Sequence, residues 1–167
     1  MARDRQSTRL REYDYTSAGA YFVTLCAQNR EHLFGEIQDR QMCLNQIGEI
    51  VRTEWYWSEV VRPTIDLDAF VIVPNHVHGM VMFTPDPGVG AHSCAPLRPR
   101  HSLGSSIAQF KATTTKQINE LRGAPGIKVW QHNYYERIIR DEDELNTIRA
   151  YIENNPLAWD TDGENVA

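Results

Sequence analysis

Between residues 66 and 83 two apolar runs, DLDAFVIV at 66–73 and HVHGMVMF at 76–83, are separated by nothing but Pro74-Asn75. Runs this rich in β-branched side chains read as strands, and a proline–asparagine pair is a tight connection. Strands joined so closely pair antiparallel, and the rest of the chain must cover them. At 167 residues the chain suffices for one domain with a real core, not for two ordinary ones. No stretch approaches the roughly 18 apolar residues of a membrane helix. The start, MARDRQSTRLRE, is charged with no apolar run behind it, so it is no secretion signal. Three scattered cysteines, Cys26, Cys43 and Cys94, form no CxxC pair. They suit a reduced, cytoplasmic setting rather than a disulfide framework or a zinc ribbon.

Other elements are set by local patterns. AYFVTLCA at 20–27 reads as a strand. The stretch 41–57 places Leu44, Ile47, Val51 and Trp55 at helical spacing. PDPGVGAHSCAPLRP at 85–99 is rich in proline and glycine, and with its flanks makes a mobile, exposed loop over 85–101. Ser102 then caps a long helix whose stripe is Leu103, Ile107, Phe110, Thr114, Ile118 and Leu121, with Gly123 at its C-terminus. Val129-Trp130 and 134–139 are short extended pieces. A last helix at 141–155 opens on the acids Asp141 to Glu144, buries Leu145, Ile148 and Ile152, and stops at Asn155-Pro156. The order β-α-β-β-α-β-α fits an α+β fold, a ferredoxin-like antiparallel sheet with packed helices.

The net charge of −5 argues against bulk attraction to nucleic acid, but the charge is uneven. Over 98–128 six bases (Arg98, Arg100, Lys111, Lys116, Arg122, Lys128) face one acid, Glu120, whereas 141–167 is strongly acidic. A protein acidic overall can still present a basic face.

His76 and His78 interrupt an apolar strand. Residues i and i+2 share one face, about 7 Å apart at the backbone, with Val77 turned to the other. Two imidazoles so placed can reach one divalent ion. Two structurally satisfied histidines are the plainer alternative, and two ligands alone make a weak site. An amidohydrolase barrel needs a much longer chain, and a cupin needs further ligands at set distances.

PNHVHG (74–79), the helix closing on Arg122-Gly123, VWQHNYYERIIRDE (129–142) and IRAYIENNP (148–156) together resemble the REP-associated tyrosine transposases. These are a branch of the single-tyrosine HUH transposases, named for a His–hydrophobic–His motif. The resemblance covers roughly residues 10–160. It implies that His76, His78 and Asn155 hold a divalent metal ion, Mg²⁺ or Mn²⁺, and that Tyr151 is the nucleophile. Helical spacing agrees, since Tyr151 and Asn155 are i and i+4. Tyr134 and Tyr135 are rival nucleophiles; strand alternation puts them on opposite faces, so one at most faces the site.

The implied function is a metal-dependent transesterase that cleaves and rejoins single-stranded DNA near hairpins through a 5′-phosphotyrosine. A domesticated hairpin binder that no longer cuts is the alternative, and a phosphodiesterase using water is another. The implied partner is single-stranded or hairpin DNA; relatives act as homodimers or as monomers, and the sequence does not choose. Arg98, Arg100, Lys111 and Lys116 are the candidate phosphate contacts, and Trp130, Tyr134 and Tyr135 the candidate base stackers. Arg3, Arg5, Arg9 and Arg11 could assist, and Arg137 and Arg140 could meet phosphate or pair with the acids after them. The whole chain, 1–167, reads as one catalytic domain ending in an acidic tail, 160–167. That tail departs from the longer basic tail of some relatives.

Overall fold

Alternation along the strands places everything else. The computed structural model describes residues 19–84 and 102–161. The expectations for the arginines of the first eleven residues, for the 85–101 loop with Arg98 and Arg100, and for 162–167 lie outside them. Strand β1 (Gly19–Cys26) is followed by a hairpin of β2 (Gly35–Gln38) and β3 (Gln41–Leu44), then by helix α1 (Gln46–Val61). The expected pair comes next as β4 (Ile65–Val73) and β5 (His76–Phe83), then α2 (Leu103–Arg122), β6 (Tyr135–Ile139) and α3 (Glu142–Asn154). The last described segment is a 3-10 stretch, Asn155–Thr161. The main sheet has the order β4-β5-β1-β6, and each neighbouring pair is antiparallel. This is the ferredoxin-like arrangement, with β2–β3 inserted after β1 and α3 added after β6.

One face of the sheet is a conventional core. Tyr21, Val23 and Leu25 of β1 and Val77, Val81 and Phe83 of β5 pack with Val51 and Trp55 of α1 and Leu103, Ile107, Phe110 and Ile118 of α2. Gly79 is required here: a Cβ would stand 2.3 Å from Cζ2 of Trp55, whose ring stacks on Phe70 at 4.5 Å. Helix α3 covers part of the opposite face, where Phe22, Met80, Ile139, Ile148 and Ile152 form a second, smaller cluster.

Three caps define the helices, each contributing about 1 kcal/mol. Asn45 accepts from the Gly48 N–H, Ser102 makes a capping box with Ser105, and Asp141 accepts from the Glu144 N–H. Gly123 ends α2 in the left-handed conformation, φ 60°.

Two expectations need correction. The helix expected over 41–57 begins only at Gln46, because Gln41–Leu44 pairs with β2 as β3 and Asn45 caps the helix behind it. The turn between β2 and β3 holds Asp39 and Arg40 at φ 50° and 63°. Such primed turns normally carry glycine or asparagine, so local composition does not announce a hairpin. Leu121, expected on the buried stripe of α2, is exposed. Asn119 is buried instead and donates from Nδ2 to the Ile127 carbonyl at 2.8 Å. No helix among the described residues is long and apolar enough to cross a membrane.

Candidate functional site

β5 begins at His76, so its first residues stand at the end of the sheet, and alternation turns both imidazoles toward the α3 face. Both are buried. The Nδ1 atom of His76 lies 2.7 Å from Asn75 Oδ1. An amide oxygen only accepts, so this contact puts a proton on Nδ1 and leaves Nε2 of the neutral ring as the lone-pair nitrogen. The Nδ1 atom of His78 lies 2.8 Å from the hydroxyl of Thr24, its cross-strand partner on β1. Phe22 stacks on the His78 ring at 5.3 Å and 24°. Held in this way, the two Nε2 atoms converge to 2.9 Å.

At 2.9 Å the two nitrogens are within hydrogen-bonding distance of each other, and two imidazoles bound at about 2.0–2.1 Å to one tetrahedral ion would stand about 3.3 Å apart. A small parting of the pair would admit a shared divalent ion, and the groups on both Nδ1 atoms are the outer supports that such ligands use. Among the described residues no group of three or more His, Cys, Asp or Glu side chains could hold a metal. A third ligand from the described residues would be of another type, as an asparagine oxygen is. Asn155, the first residue of the 3-10 stretch, is buried. Trp159 of the same stretch lies against His76, ring centroids 5.9 Å apart.

Tyr151 belongs to α3, and its hydroxyl is 3.4 Å from Nε2 of His78, a long contact. Its ring meets His78 at 5.3 Å and 62° and Phe22 at 6.1 Å and 79°, while 48% of the residue remains exposed. The phenol oxygen thus lies beside the imidazoles in a half-exposed side chain. Two ties set the helix. Ile148 and Ile152 are buried on the sheet. Arg149, two residues before Tyr151, donates from Nε at 3.0 and 3.1 Å to the two oxygens of Asp68 on β4, and from Nη2 to Oδ2. These hydrogen bonds hold the Asp68 carboxyl below its ordinary range, against the opposing effect of burial.

His76, His78 and Tyr151 are therefore brought together. The candidate DNA contacts fare differently. Lys111 and Lys116 are on α2, beyond the sheet from the imidazoles. Lys111 donates to the carbonyls of Gln131, His132 and Asn133 at 2.8, 3.3 and 3.1 Å and lies 5.5 Å over the Tyr134 ring. Burial pushes its ammonium down to about 8. It clamps the segment leading into β6 rather than standing free for phosphate. Lys116 is exposed, 4.0 Å from Glu120.

Trp130, expected as a stacking surface, is instead in the core, its indole N–H bonded to Thr114 at 2.9 Å. Tyr134 packs partly buried on the helix side, and Tyr135 is the one on the site face. Arg137 pairs with Glu144 at 2.5 Å, and the backbone N–H of Arg140 donates to the same carboxylate at 2.9 Å. Sequence reasoning missed Thr24, Asn75, Phe22, Trp159 and the Asp68–Arg149 pair. Only Asn75, inside PNHVHG, carried a local signal.

No family model matches the chain. It is 39% identical to an uncharacterized protein of Haemophilus influenzae over 95% of its own length and 91% of that protein's. A second protein of that organism, named as a candidate REP-associated tyrosine transposase, is 26% identical over 86% of this chain and 73% of its own. Among solved structures, that of a REP-associated tyrosine transposase bound to a REP hairpin matches with a TM-score of 0.61. The match covers 90% of this chain and 73% of that one; at 19% identity it is a likeness of fold.

Proposed function

We propose that the chain is a member of the REP-associated tyrosine transposase family and that it cuts and rejoins single-stranded DNA through Tyr151. The observation that carries the reading is the meeting of two distant parts of the chain at one point: two Nε2 atoms of β5, 2.9 Å apart, and a half-exposed phenol from α3, 3.4 Å from one of them. A core tyrosine needs no such neighbours, and a binding surface needs no buried imidazole pair.

In this reading His76, His78 and Asn155 would hold a divalent ion, Mg²⁺ or Mn²⁺, which supplies charge stabilisation at a phosphoryl oxygen. Phe22 and Thr24 fix the His78 ring, and Asn75 fixes that of His76. Helix α3, pinned by Arg149 on Asp68, holds the Tyr151 oxygen within reach of a phosphate bound at the imidazoles. The phenol oxygen attacks phosphorus as the bond to the 3′ oxygen breaks; the phenol gives up a proton and the leaving 3′ oxygen gains one. The product is a 5′-phosphotyrosine and a free 3′-hydroxyl, and attack by a 3′-hydroxyl on that linkage reverses the step without ATP. The relative bound to a REP hairpin supports hairpin-bearing DNA as the substrate class. Lys116, exposed on the far layer, is available to more distant phosphates.

The test is cleavage of end-labelled single-stranded hairpin DNA with Mn²⁺, beside Tyr151→Phe. A covalent protein–DNA adduct on the 5′ side of the break, absent from the variant, is the expected result. Cutting that persists in Tyr151→Phe would overturn the Tyr151 mechanism in favour of Tyr134, Tyr135 or water. Tight hairpin binding without any cutting would favour a domesticated binder.

A further inference from the structure

A second half-exposed tyrosine shares the site face and has no part in the chemistry above. β6 enters the sheet at Tyr135, which pairs with Thr24 of β1, and Thr24 pairs with His78 of β5. Directly opposed residues point to the same side, so His78, Thr24 and Tyr135 form one row across the sheet. With strands about 4.8 Å apart, the two ends of the row stand about 10 Å apart at the backbone. Phe22 lies between the two tyrosines, meeting Tyr135 edge-on at 6.3 Å and 69°, and Tyr151 at 6.1 Å and 79°. Helix α3 leaves from the other end of β6 and runs to β4, where Arg149 holds Asp68. Tyr135 is left 50% exposed.

We infer that Tyr135 is a platform on which an unpaired nucleobase stacks, next to the nucleotide whose phosphate is held at His76, His78 and Tyr151. This rests on the proposed function and extends it to a subsite. Tyr135 is separated from the imidazoles by the Thr24 strand, too far to share their phosphate, whereas Tyr151 touches them. A neighbouring nucleotide spans that distance. The ring meets Phe22 in a T-shaped contact and the residue is half-exposed, which leaves surface to offer to a base. Trp130 and Tyr134, the other aromatic residues near the start of β6, are turned into the opposite layer. Stacking tolerates any base, so Tyr135 contributes affinity and registration of the strand rather than sequence choice. Losing one such stack raises Kd about 5- to 150-fold.

The experiment uses the full chain carrying Tyr151→Phe, so that no covalent adduct forms, and an oligothymidylate containing 5-iodouracil. Irradiation and then peptide mass spectrometry are expected to find the cross-link on Tyr135. Adding Tyr135→Phe keeps the cross-link at that position and leaves Kd nearly unchanged. Adding Tyr135→Ala removes it and weakens binding by the factor above, with unchanged circular dichroism. Cross-links confined to other exposed aromatics, such as Tyr56 or Trp57 on α1, would overturn the platform. So would equal Kd for Tyr135→Ala. Failure of every chain to bind either this oligonucleotide or the labelled hairpin would sink the proposed function as well; binding and Tyr151-dependent cutting without a Tyr135 cross-link would sink the platform alone.

Discussion

The two faces of the sheet are built from alternate residues of the same strands, yet they do different work. On β5, Val77, Gly79, Val81 and Phe83 look into a dry layer closed by α1 and α2, while His76, His78 and Met80 look toward α3. The first face is apolar and continuous, and tolerates so little extra volume that Gly79 has no room for a methyl group. On the second, a small apolar cluster lies beside a row of polar side chains that hold one another by hydrogen bonds. Period-two alternation lets one strand bury a core and mount a reactive pair without either compromising the other. Stability should therefore reside on the helix face and chemistry on the other.

Adjacent substitutions on β5 put the sharpest strain on that division. Val77→Asp places a carboxylate in the helix-side layer, where Val77 is wholly buried. Burying it unpaired costs several kcal/mol, comparable with the whole stability of a domain, about 5–15 kcal/mol. The expected outcome is an unfolded or insoluble chain. One residue away, His78→Ala and His76→Ala should each cost only about 1–3 kcal/mol and leave a cooperative thermal transition, while DNA cutting is lost. Thermal denaturation by circular dichroism, run beside the cleavage assay, separates the two. A folded Val77→Asp, or a histidine variant that cuts normally, would break the comparison.

A smaller effect tests how rigid the helix side is. Gly79→Ala forces a methyl group toward Trp55 and should cost about 1–3 kcal/mol. Trp55→Phe removes the part of the ring that the methyl meets, so the double variant should be more stable than the sum of the two single losses predicts. Strict additivity in urea denaturation would mean that the two residues do not share that space.

Legibility in the sequence obeys the same division between local and distant partners. The strands β1, β4 and β5, both long helices and the antiparallel sheet were legible because each depends on periodicity and capping within a few residues. His76, His78 and Tyr151 were legible through short motifs. The hairpin at 35–44 was not, because Asp39 and Arg40 adopt a turn that their side chains do not advertise. Nor were Thr24 on His78 or Arg149 on Asp68, partners separated by 54 and 81 residues; no local pattern encodes such a meeting. Trp130 misled for a related reason. An aromatic side chain reads alike whether it will stack on a base or fill a core, and the strand bridge to Ala27 that turns it inward is a tertiary feature.

The smallest effect concerns the tie between the site face and its helix. The Arg149 hydrogen bonds lower the Asp68 carboxyl below its ordinary range, and Asp68 in turn raises the Arg149 guanidinium. A carboxylate whose folded pKa is depressed contributes stability that is fully present above its unfolded value, about 3.9. That contribution is lost as pH falls through the folded value. Asp68→Asn keeps the shape of the side chain and removes the charge. The melting temperature of the parent should therefore exceed that of Asp68→Asn by a small, constant margin from neutral pH down to about pH 5, with the gap narrowing below about pH 4. Because Arg149 is partly exposed, salt should shrink the margin at neutral pH as well. A margin indifferent to both acid and salt would mean that α3 is held by Ile148 and Ile152 alone. The position of Tyr151 would then be a property of the apolar cluster rather than of the ion pair.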